Sequence, residues 1–151
     1  MKHILLTITL IFGTAAVIPD ASFAQELRTI RQLENSSAQS YPFLRCGALN
    51  QAILERIGKK KLGEQSFKQF DEVRTTFFLV AAMIIQDEMG ISIEQVGEIT
   101  SRDGRNIANI YEVRMNNNFA QSGQAFGEDP VMQDDINYCK SLYEQVAAAM
   151  K

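Results

Sequence analysis

From Pro42 to Ile57 the apolar residues fall at Phe43, Cys46, Leu49, Ile53 and Ile57, at steps of three and four. That spacing defines one face of a helix. Ser40 stands where a cap is wanted, and Gly58 where a left-handed C-terminal residue is wanted. "GKKKLGEQ" follows as a charged loop. A second helix is predicted from Ser66, which opens a capping-box pattern with Gln69 and closes at Gly90. Phe67, Phe70, Phe77, Ala81, Ile84 and Glu88 form its main stripe, and Val73, Phe78, Ala82, Ile85 and Met89 widen it. So broad an apolar surface predicts the central helix of the fold.

Ser92 and Gln95 repeat the capping-box pattern and start a third helical segment, with Ile93, Val96, Ile99, Ile107, Ile110 and Tyr111 on its apolar face. Asp103-Gly104 interrupts this pattern and predicts a kink or a split. "NNNFAQSGQAFGEDP" is expected to be a loop. The last helix has Asp129 as cap and Pro130 in its first turn. Met132, Ile136, Cys139, Tyr143, Val146 and Met150 then form a seam suited to packing along another helix. No alternating strand pattern occurs. The expected fold class is all-α, a small bundle of about four principal helices.

The N-terminus follows a different logic. Lys2 and His3 precede an uncharged, mostly apolar run from Ile4 to Ile18, ended by Pro19, and Ser22 and Ala24 supply small residues before Gln25. This is the order of a secretory signal peptide. At about 1.5 Å per residue the run falls short of a roughly 30 Å hydrocarbon core. Residues 1–24 are therefore expected to be cleaved, 25–40 to form a flexible arm, and 41–151 a single helical domain. The expected location is periplasmic or secreted, with no transmembrane segment after cleavage.

Export changes the meaning of the two cysteines. Cys46 and Cys139 lie on the inward faces of different helices, far apart in sequence and with no histidine near either. A zinc site needs more ligands at closer spacing. A catalytic thiolate needs a base or a cationic neighbour, and Arg45, being adjacent on a helix, points elsewhere. A disulfide needs only an oxidising compartment and facing positions. Cys46–Cys139 is the expected bond, joining the first and last principal helices. The loop-entropy model assigns it about 4–5 kcal/mol, a large share of the about 5–15 kcal/mol typical of a domain.

Charge and composition narrow the function further. The net charge is −3, and loss of Lys2 and Asp20 with the leader leaves it there. That balance argues against nucleic acid as a partner. The single histidine, His3, departs with the leader, which removes Ser-His-Asp, Cys-His and His-ligated zinc chemistry. No nucleotide-binding glycine motif or haem-attachment motif is present, so no cofactor is expected. Glu88, Glu94 and Glu98 are the candidates for carboxylate-based hydrolysis, although Glu88 is better placed to pair with Arg74 or Arg114. Glu128, Asp129, Asp134 and Asp135 suggest a calcium loop but lack its spacing, and acids also suit a helix N-terminus.

In outline the chain resembles the small disulfide-bearing helical proteins that Gram-negative bacteria export to bind other proteins, among them immunity proteins against cell-wall-degrading effectors. The expectation is an exported, non-enzymatic protein that binds a protein partner. The alternatives are a helical carrier of an apolar small molecule, lined by the Phe and Met residues of the second helix, and a carboxylate-dependent cell-wall hydrolase.

Overall fold

The computed structural model describes residues 27–33 and 35–150, so the expected signal peptide lies outside the described residues. The fold is an all-α bundle: a short α1 (Ile30–Leu33), then α2 (Tyr41–Leu62), α3 (Glu64–Met89), α4 (Ile93–Ser122) and α5 (Pro130–Ala149). No strand occurs among the described residues. None of the described helices is long and apolar enough to cross a membrane.

The predicted caps divide into two groups. Ser92 forms a full capping box with Gln95, and Asp129 accepts from the N–H groups of Val131 and Met132. Ser40 does not cap α2: it is buried, has helical dihedrals and makes no side-chain bond to the first turn. Ser66 does not open α3, which begins at Glu64 directly after Gly63. The charged loop between these helices is thus mostly a helical turn. Gly58 (φ 73°, ψ 160°) does break α2, and Lys59–Leu62 winds on beyond it.

α2, and not α3, is the central helix. It buries nearly every position from Leu44 to Leu54, polar and apolar alike, whereas α3 fully buries only Phe77, Ala81 and Ile85. Within the predicted stripe Met89 is 58% exposed, and Phe67, Phe70, Val73, Phe78, Ala82 and Ile84 are only partly buried. The broad stripe was misleading because large side chains mark a surface as apolar without saying that anything covers it. α2 is central because Gly47, Ala48 and Ala52 let neighbouring helices approach closely; all three are buried.

α4 also departs from expectation at Gly104. It runs unbroken from Ile93 to Ser122, taking in the first seven residues of the predicted Asn-rich loop. Its buried face is Val96, Thr100, Gly104, Ala108, Tyr111 and Met115, while Ile93 and Ile110 are exposed. Gly104 is a seat for the Phe78 ring of α3. A Cβ there would lie 2.8 Å from that ring, and one on Gly47 of α2 would lie 2.7 Å from it. Phe78 is therefore wedged between the backbones of α2 and α4.

The expected loose arm is also corrected in its described part. Ile30 is fully buried in the main core, with Leu27 packed beside it. A single anchoring residue has no period, and so the sequence pattern carried no sign of it.

An alanine in place of glycine inside a helix normally stabilises it by about 1 kcal/mol. The Phe78 wedge reverses that sign at one position. Gly104→Ala should destabilise the protein by about 1–3 kcal/mol through overpacking. Gly97→Ala, with open space around the same helix, should stabilise it by up to about 1 kcal/mol. Urea unfolding midpoints measure both, and changes of the same sign would refute the wedge.

Candidate functional site

Cys46 and Cys139 are bonded, with Cα atoms 5.4 Å apart, and the bond ties α2 to α5. Both cysteines are buried. The expected meeting of the two apolar faces is present: Leu49 and Ile53 of α2 stand beside Ile136, Cys139 and Tyr143 of α5.

Beside the disulfide lies a buried polar cluster that the sequence pattern did not reveal. Arg45 and Asp135, both fully buried, pair at 2.6 Å. Tyr111 of α4 donates its hydroxyl proton to Asp135 Oδ2 at 2.6 Å and accepts from Arg45 Nε at 2.8 Å. The Ile30 N–H donates to Asp135 Oδ1 at 2.8 Å. Burial works against the Arg45 charge, but the Tyr111 oxygen and the Asp135 carboxylate outweigh it and hold the guanidinium protonated. Burial also drives the Tyr111 phenol well above its ordinary value, with Asp135 adding to the effect and Arg45 opposing it. Tyr111 thus stays a neutral donor. Every partner is satisfied inside the fold, as a buried ion pair requires. The cluster is a structural lock on four helices.

The sequence places Asp135 with Glu128, Asp129 and Asp134 among the acids that suit a helix N-terminus. Its burial had one signal, Asp135 falling one turn before Cys139 on α5. Asp134 lies partly exposed and pairs with Arg31 at 3.2 Å. Asp129 is buried and accepts from Arg114 Nε and Nη2, at 2.6 and 2.8 Å, and from Asn118 Nδ2. Glu128 turns the preceding loop with φ 57°. These four acids do not converge, and no metal-holding group of three or more His, Cys, Asp or Glu exists among the described residues.

The three candidate glutamates are exposed and lie along α3 and α4. The expected pairing of Glu88 with Arg74 or Arg114 is corrected: Arg74 pairs with Asp71, and Arg114 with Asp129. Glu94 lies in the first turn of α4, where its own N–H and the Ser92 hydroxyl hold its carboxyl below the usual value. One further carboxylate pair was missed: partial burial, then Glu55 across the α2–α4 contact, raises the Glu112 carboxyl.

Two concave features stand out among the described residues: a polar one of about 340 Å³ around Arg114, Asn118 and Asp129, and an apolar cleft of about 290 Å³ between α2, α3 and α5. Leu49, Ile53, Phe70, Val73, Ile136 and Tyr143 supply its apolar walls, and Asn50, Gln69 and Lys140 its polar points. Tyr143 meets the buried Phe77 ring edge-on at 6.0 Å. Phe70 is the one member of the Phe/Met set of the second predicted helix that lines this cleft. Comparison with known protein families, curated proteins and solved structures finds no match to the chain.

The Asp129 geometry sets an acid limit on stability. Burial raises its carboxyl, but hydrogen bonds from Arg114, Asn118 and the Met132 N–H outweigh that and hold it below the ordinary value. A group held low in the folded state contributes stability that is complete above its unfolded value, about pH 4, and is lost as pH falls through the folded value. Arg114 is 29% exposed, so the contribution belongs near the low end of the about 1.5–3 kcal/mol of charged hydrogen bonds. Asp129→Asn should lower the thermal midpoint at neutral pH, and the difference from the wild type should shrink as pH falls from about 4 through the lowered folded value. An equal loss at neutral and acid pH would assign the effect to the cap alone.

Proposed function

We propose that the chain is an exported, non-enzymatic binding protein that holds an apolar small molecule in the cleft between α2, α3 and α5. The single observation behind this reading is the cleft itself: concave, walled by apolar side chains from three helices, and braced by the disulfide at its α2–α5 seam. Sites for small molecules have this character, apolar walls with a few polar points. The N-terminal leader pattern and the disulfide both support export. The cleft has no acidic or histidine side chain on its walls, so it offers no acid–base pair to a bound molecule.

A protein partner, expected first from sequence, is the second reading. Leu79 and Met83, exposed one turn apart on α3, favour it. Their mean direction lies about a third of a turn around α3 from that of Phe70 and Val73. The two apolar features therefore face different directions and do not merge into the roughly 800 Å² per partner of a standard protein interface.

The disulfide-bonded protein should bind an apolar fluorescent dye such as phenylnaphthylamine saturably, at one site. Val73→Phe, which fills the cleft, should weaken that binding at least several-fold, and Leu79→Ala should not change it. Native mass spectrometry of protein from its own host should show a retained small-molecule mass. A bare mass together with no saturable dye binding would overturn the reading.

A further inference from the structure

The walls of the cleft carry charge of one sign only. Lys140 is the sole ionisable cation among the lining residues, and no aspartate or glutamate stands with it. This holds in a protein whose net charge is −3. Lys140 is exposed and has no ion-pair partner among the described residues, Glu144 one turn on included. It shares a face of α5 with Tyr143, three residues along. A lysine so placed lays its alkyl stem against the apolar wall and keeps its ammonium in water at the mouth.

Size restricts the tail. A cleft of about 290 Å³ lies at the lower edge of the range for small-molecule sites, about 300–1,000 Å³. That volume suits one unbranched chain better than a two-chain lipid. Its openness to solvent along one side suits a ligand whose end stays hydrated.

We propose that the ligand is a medium-chain fatty acid, its tail lying along Leu49, Ile53, Phe70 and Val73 and its carboxylate paired with the Lys140 ammonium. This rests on the cleft being the binding site. A cationic amphiphile would meet Lys140 with like charge, and a fatty alcohol would leave it unused.

Calorimetric titration of the disulfide-bonded protein with dodecanoate, below its micelle concentration, tests the assignment against dodecanol. Dodecanoate should bind one to one and more tightly than dodecanol by about two- to fivefold, the range of a solvent-exposed ion pair. Lys140→Ala should abolish that preference, because it removes the ammonium, and Lys140→Arg should retain it. High salt should shrink the preference in the wild type. Because Lys140 is exposed, these variants leave the core untouched, and circular dichroism confirms their folding. Equal binding of dodecanoate and dodecanol, or an unchanged preference in Lys140→Ala, would overturn the fatty acid and leave the apolar cleft standing. Failure of both ligands to bind the wild type would overturn the cleft as well, and would return the protein partner to first place.

Discussion

The fold depends on one constraint: Arg45 and Asp135 are buried without access to water and must satisfy each other. Removing two charges from water costs several kcal/mol per ion, and only good geometry with further hydrogen bonds recovers it. Here Tyr111 of α4 and the Ile30 N–H complete the arrangement. α1, α2, α4 and α5 must therefore all be in place together. The disulfide reinforces the same junction, since Arg45 adjoins Cys46 and Asp135 lies one turn before Cys139. An ionic link and a covalent link join the same two helices at neighbouring positions.

α3 is held differently. It contributes no member of that cluster and is anchored by shape: the Phe78 ring fits between Gly47 and Gly104, and Phe77 packs between Phe43 and Tyr143. Two mechanisms thus operate side by side, polar satisfaction on one side of α2 and close steric fit on the other. The first ranks arrangements by whether charges are paired, and the second by whether backbones can approach. Together they select a single packing more sharply than apolar burial alone, which is tolerant of shape.

The cleft follows from these two anchors. α5 is pinned to α2 at Cys139, and α3 to α2 and α4 at Phe78, while the Phe77–Tyr143 contact bridges α3 and α5 nearby. Between these points Leu49, Ile53, Phe70, Val73 and Ile136 face a space that no other described helix fills. A groove on rigid supports keeps its form without a ligand, which reduces the ordering cost of binding. Lys140 is the one charged residue on its lining, beside the uncharged Asn50 and Gln69.

The sequence by itself determined the helical class, the Ser92 and Asp129 caps, the break at Gly58 and the Cys46–Cys139 pairing. Each of these is local, or follows from two residues and a compartment, and so it is written in spacing and residue type. Half of the candidate site was legible in the same way, as the α2 and α5 seams that meet at the disulfide. What only the tertiary structure decided are matters of partnership across the chain. Asp135 and Arg45 look like surface charges until Tyr111 and Ile30 arrive from elsewhere to satisfy them. Gly104 looks like a helix break until a ring from α3 occupies its missing side chain. The exchange of roles between α2 and α3 has the same origin, because side-chain size indicates what can be buried, whereas burial depends on how closely the neighbouring backbones approach.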